Sequence, residues 1–105
     1  DLHKTVHSFP TRRSSDLAEV TRRVEAMLST AVSYGRMNWL MLMMVDPQVH
    51  FHVLPRYDGA REQDGISISD AGWPGPPDLK SALALSDEQK VQLRDWLAGL
   101  WQETA

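Results

Sequence analysis

His50 and His52, two residues apart, are the side chains of this 105-residue chain best placed to do chemistry. They lie in the run Val49-His50-Phe51-His52-Val53-Leu54-Pro55-Arg56-Tyr57. On an extended strand the side chains alternate, so both imidazoles project from one face while Phe51 and Val53 project from the other. Two neighbouring imidazoles backed by an apolar face can hold a phosphate or attack it. The same pair also fits two other readings. It can supply two ligands to a metal, with Asp46 and Asp58 as nearby acidic residues. It can equally be a structural pair on a strand.

The elements that position these residues follow from periodicity. Val20, Val24, Met27, Leu28 and Ala31 recur at spacings of three and four, predicting a helix over 18–34 with Arg22, Arg23 and Glu25 opposite the apolar stripe. Gly35 follows as a C-cap. Residues 38–45 form a continuous apolar run, expected to be a strand buried on both faces. The Asp46-Pro47 step predicts a tight turn, so 38–45 and 48–54 should pair antiparallel, with Pro55 ending the second strand. A polar loop over 56–65, a short strand at 66–68 and an irregular covering segment at 70–77 follow. Ser86 with Gln89 three residues on is a capping box, and Asp87 and Glu88 favour the positive end of the helix it opens. Val91, Leu93, Trp96, Leu97, Leu100 and Trp101 supply that helix's apolar face.

Residues 1–17 stand apart. The stretch 7–17 resembles the translation of a common sequencing adapter, and Asp1-Leu2-His3 fits the adapter's upstream segment. This segment is therefore expected to be artefactual and disordered, and 18–105 to hold the native sequence. Of the 11 Lys and Arg, Lys4, Arg12 and Arg13 lie in it, leaving 8; of the 14 Asp and Glu, Asp1 and Asp16 do, leaving 12. The remainder is mildly acidic, which argues against a general nucleic-acid grip. His50 and His52 are its only histidines, so a three-histidine metal site within one chain is excluded.

With no cysteine, disulfides, thiolate zinc sites and a cysteine nucleophile are excluded as well. That composition fits a reducing compartment, and a cytoplasmic protein is expected. The run 39–45 is far too short to span a bilayer as a helix, and no membrane partner is expected. The methionines read as packing, so no cofactor is expected.

The run from Gln48 to Arg56 resembles the signature strand of the histidine triad (HIT) family of nucleotide hydrolases and transferases. That family carries His-x-His-x-His followed by apolar residues, often ending in Pro-Arg. The resemblance covers residues 18–57, including the helix and the apolar strand beginning at Asn38. It implies an α+β fold, a HIT-like antiparallel sheet with a packed helix, here incomplete at its N-terminal side and followed by a C-terminal helix. It implies a small-molecule nucleotide as ligand and a homodimer for the intact parent. His50 matches the middle histidine, the nucleophile that forms a nucleotidyl-histidine intermediate, and His52 the third, which stabilises phosphate charge. Gln48 stands at the first triad position, where its amide donates a hydrogen bond but shuttles no proton. Arg56 and Asn38 are expected at the phosphate. The family's phosphate loop before the triad is replaced by Asp46-Pro47. The intact parent is thus expected to be a nucleotide phosphohydrolase or nucleotidyl transferase, and this chain an inactive fragment of it. The alternatives are a non-catalytic nucleotide-binding module of the same shell and a metal-dependent enzyme using the His-x-His pair.

Overall fold

A computed structural model describes residues 9–41 and 50–105, with side chains from residue 16 onward in the first helix. The described elements run α1 (Phe9–Val32), β1 (Arg36–Leu40), β2 (His52–Arg56), β3 (Ala60–Gln63), β4 (Ile66–Ser69) and α2 (Asp87–Glu103). The class is α+β: two helices and two small antiparallel sheets, β1 with β2 and β3 with β4. The register of the first sheet sets Arg36 opposite Arg56, Asn38 opposite Leu54 and Leu40 opposite His52. The antiparallel pairing expected on either side of residues 46 and 47 is present. The turn itself lies outside the described residues.

Helix α1 begins at Phe9 rather than at residue 18. Pro10 is tolerated because it falls in the first turn, and no Gly or Pro interrupts the chain from there to Val32. Residues 9–17, expected to be disordered, are therefore helical, while 1–8 lie outside the described residues. The helix ends on Ser33, which takes a positive φ of 49° and donates its N–H to the Ser29 carbonyl at 3.0 Å. Ser33, not Gly35, is the cap. Val32 is buried, whereas Val20, expected on the packed stripe, is 47% exposed. Along α1 the cavity wall against the sheet is formed by Leu17, Thr21 and Glu25, one position round from Val20.

Pro55 lies inside β2, opposite Met37, instead of ending the strand. A two-stranded sheet has no central strand, so a missing donor is tolerated. Strand β3 arises from Ala-Arg-Glu-Gln, polar residues expected in a loop. Its cause is the two-residue turn Asp64-Gly65, where both φ values are positive, 54° and 79°. That is the type I′ geometry matching the twist of a hairpin.

Helix α2 has the capping box: Ser86 Oγ accepts from the Gln89 N–H, and Gln89 Oε1 accepts from the Ser86 N–H. It packs on α1. Its C-terminal carbonyls are met by arginines of α1, for Arg23 donates to the Trp101 carbonyl at 3.0 Å and Arg22 to the Thr104 carbonyl at 3.2 Å. The Arg23 guanidinium also lies 4.0 Å from the Trp101 ring centroid. Cations at a helix C-terminus satisfy unpaired carbonyls and favour the negative end of the dipole. Arg61 does the same for α1, donating to the Val32 and Ser33 carbonyls while covering Tyr57. No described helix is long and apolar enough to cross a membrane.

Hydrophobic burial is thin. Among the described residues the buried apolar side chains are Val32, Tyr57 and Ile66. The buried charge is Arg56, at the end of β2. Its Nε donates to Asp70 Oδ2 at 2.6 Å, Nη1 to Asn38 Oδ1 at 2.8 Å, and Nη2 to Asp70 Oδ1 at 3.3 Å and the Gly75 carbonyl at 2.7 Å. Asp70 also accepts from the Gly72 N–H at 3.1 Å. One guanidinium thus joins β1, β2, the residue following β4, and the covering segment. The Arg56 hydrogen bond holds the Asp70 carboxyl below its ordinary value of 3.8, against the upward push of burial.

Replacing Asp70 by Ala leaves a buried guanidinium without its counter-charge and should cost about 3 kcal/mol in urea unfolding. Because the folded carboxyl titrates below its unfolded value, its contribution is complete above that value and vanishes as pH falls through the folded one. The difference between wild type and Asp70→Ala should therefore be flat from about pH 7 to pH 5 and shrink in stronger acid. A pH-independent gap would contradict the ion pair as its source. At Gly72 an added Cβ would stand 2.2 Å from the Pro76 carbonyl oxygen, so Gly72→Ala should destabilise by about 2 kcal/mol. In Gly99→Ala the new methyl meets nothing within 4 Å, and melting should show a gain of about 0.5 kcal/mol in α2.

Candidate functional site

The site grows out of the alternation of β2. His52 opens the strand and His50 lies just before it, so the two imidazoles share a face with Leu54 and Arg56. Their ring centroids are 5.5 Å apart and the rings stand at 77° to one another. His50 is half-buried and His52 exposed. On the reverse face Phe51 packs edge-on against Trp39 of β1, with centroids 6.3 Å apart. This contact, with Leu17 and Thr21 of α1 lining the same small cavity, braces the back of the strand under the histidines. Paired aromatic rings add about 1 kcal/mol beyond their burial.

One nitrogen of a neutral imidazole carries a lone pair and the other a proton. A pair at this separation can present one nitrogen as a nucleophile and an N–H from its neighbour to the same bound oxyanion. The pair is accessible from the His52 side, so a ligand can reach it without the strand moving.

The remaining expected site residues divide. Asn38 and Arg56 lie on the same sheet face as His52, as the register requires, but they bond to one another. Arg56 stands four residues along the strand from His52, about 13 Å at the usual strand rise. Its guanidinium is instead taken up by Asp70, Asn38 and the Gly75 carbonyl. The structure gives Arg56 and Asn38 an architectural task, anchoring the covering segment through Asp70 and Gly75. Gln48 lies outside the described residues, as does Asp46. Among the described residues no group of three or more His, Cys, Asp or Glu side chains converges, so Asp58 does not join the histidines.

A second concavity of about 450 Å³ lies between β2, β4 and the segment before α2. Arg56, Tyr57, Asp70, Ser81 and Leu83 contribute to its wall, and neither histidine does. Burial is the main reason that the Tyr57 hydroxyl there titrates above its ordinary value, with Asp70 adding to the effect and Arg61 opposing it. The Asp70 partnership was missed by sequence reasoning. The available signal was the position of Arg56 directly after a β strand proline, facing a segment rich in Pro and Gly whose backbone carbonyls need donors. Compared with protein-family models, with curated proteins and with solved structures, the chain finds no match.

Proposed function

We propose that this chain carries the catalytic strand of a histidine triad-type nucleotide phosphohydrolase or nucleotidyl transferase. The observation that carries the reading is the adjacency of His50 and His52 on one accessible strand face, with ring centroids 5.5 Å apart. In the proposed reaction a neutral His50 nitrogen attacks the α-phosphorus of a nucleotide. A P–N bond forms as the bond from phosphorus to the leaving oxygen breaks. His52 donates a hydrogen bond to the non-bridging oxygens as charge gathers there. Water or another acceptor then attacks the phosphoramidate, and the electron pair of the P–N bond returns to His50.

Gln48 bears on the leaving group. An amide cannot deliver a proton, so the departing oxygen must leave as an anion or draw its proton from water. The reading therefore favours substrates whose leaving group is a phosphate or pyrophosphate over those losing an amine or alkoxide. Gln48 also supports a second reading, a module of the same shell that binds a nucleotide without turning it over. For the partner we propose a second copy of the chain, a reading supported by the exposed Phe51, at 39%.

Trapping separates the two readings. Incubation of the intact parent expected from the sequence with a radiolabelled nucleoside triphosphate, followed by alkaline quench and peptide mass spectrometry, should place an acid-labile nucleotidyl group on His50. His50→Ala should abolish label and turnover, while His52→Ala should retain the nucleophile and lose about a hundredfold in rate, the scale of one oxyanion donor. Saturable nucleotide binding with no covalent label would favour the binding module, and undiminished turnover in His50→Ala would overturn the nucleophile assignment. Gln48→His should raise turnover most for substrates with poor leaving groups, by up to about a hundredfold, because it restores a proton donor. An equal rise for every leaving group would argue against that role.

A further inference from the structure

We propose that the concavity between β2 and β4 is a docking groove for a short extended peptide of a partner protein, apolar at alternate positions and carrying a basic residue. The inference goes beyond the proposed reaction and does not depend on it, because neither histidine lines this concavity. Its wall takes unbroken runs of residues, 53–57 from β2 and its end and 67–71 from β4 and its end. A strand lining a cavity with its face would contribute every second residue, so unbroken runs place the concavity along the strand edges. Among the described residues β2 pairs with β1 and β4 with β3, which leaves each strand one edge to offer.

Backbone polarity identifies the edge of β2 concerned. The Arg56 carbonyl accepts from the Gly35 N–H at 2.8 Å on the β1 side, while the Tyr57 N–H is turned to the Asp70 carboxylate on the other side. Backbone groups alternate sides along such a strand. The Val53 N–H and carbonyl and the Pro55 carbonyl therefore face the concavity. Pro55 has no N–H to leave unmet there, and such an edge is where a strand tolerates proline. A strand fills about 4.8 Å across a sheet, about 10 Å in depth and about 3.3 Å per residue, or roughly 160 Å³ for each residue. The concavity of about 450 Å³ thus holds about three residues of an added strand. Val53, Pro55, Ile68 and Leu83 offer apolar wall to alternate side chains, and Leu83 is 53% exposed at the rim. Of the charged lining residues, Arg56 and Asp70 cancel in their ion pair, and Asp78 leaves one net negative charge for a basic residue to meet. Main-chain bonds give strand addition its affinity, and the alternate side chains give it specificity.

The test titrates the untagged, isotopically labelled full chain with a blocked pentapeptide in which three valines alternate with a threonine and a lysine, followed by NMR. Saturable shifts should centre on Val53, Ser67 and Ser69, and the Val53 amide should gain protection from hydrogen exchange. N-methylation of alternate peptide nitrogens should weaken binding by about tenfold or more, the worth of one or two main-chain hydrogen bonds. Glutamate in place of the peptide's lysine should cost roughly fivefold. Asp78→Asn should erase that preference, since an amide oxygen can still accept from the Lys80 N–H as Asp78 Oδ1 does at 3.1 Å. Ala82→Trp, at an exposed position on the wall, should fill the groove and abolish binding with the urea midpoint unchanged. Absence of saturable shifts up to millimolar peptide, indifference to N-methylation, or shifts centred on Phe51 would overturn the proposal. So would concentration-dependent self-association that protects Val53 without peptide, because the occupant would then be a second copy. These measurements contain no nucleotide, so a failure of the groove and a failure of the phosphoryl-transfer reading are told apart.

Discussion

The ion pair between Arg56 and Asp70 is the constraint on which the rest of this structure depends. Side-chain exposures of 7% and 9% put both charges out of water. Desolvating an ion costs several kcal/mol, which an ion pair offsets only when its remaining donors and acceptors are also met. Here they are met by Asn38 of β1, by the Gly75 carbonyl and by the Gly72 N–H. Moving any one of these elements away leaves a charge or a dipole uncompensated. The network therefore defines where the 70–78 segment sits more narrowly than apolar contact would, since apolar contact has no preferred direction.

That matters because apolar burial alone is a weak organiser in this chain. With Val32, Tyr57 and Ile66 as the buried apolar side chains among the described residues, much of the cohesion falls to arginines. Arg22 and Arg23 close the end of α2, Arg61 closes the end of α1 and lies over Tyr57, and Arg36 lies 5.7 Å from the ring centroid of Trp73. Each guanidinium combines a flat apolar surface with directional donors, a combination lysine lacks. Tertiary structure built in this manner is directional at the helix ends and loose along the helix faces. Val91 and Val20 remain exposed although both fall on predicted apolar stripes.

What could be read from the sequence was whatever local chemistry decides. The Ser86–Gln89 capping box, the antiparallel pairing on either side of Asp46-Pro47, the strand at Ile66 and the shared face of His50 and His52 all rest on neighbouring residues or on the period of two. Long-range partnerships were not legible. Arg22 and Arg23 read as a solvent face because helical periodicity separates apolar from polar residues but does not reveal that another helix ends beside the polar side. Arg56 read as a phosphate ligand because its value to the fold comes from Asp70, fourteen residues later. The hairpin β3–β4 was missed for a different reason. Its Asp64-Gly65 turn is a strong local signal, but the polar strand before it carries no hydrophobic alternation.

Strand β2 consequently serves two purposes at its two ends. At its C-terminal end every donor of consequence is engaged, the environment is dry, and a change of charge propagates to three elements. At its N-terminal end the side chains face solvent and their backing is a single aromatic contact. The histidines and Arg56 occupy separate environments, because about 13 Å of strand separates them. On the reverse face Trp39 and Phe51 meet edge-on, with ring centroids 6.3 Å apart. The two imidazoles, with ring centroids 5.5 Å apart, stand in front of that face.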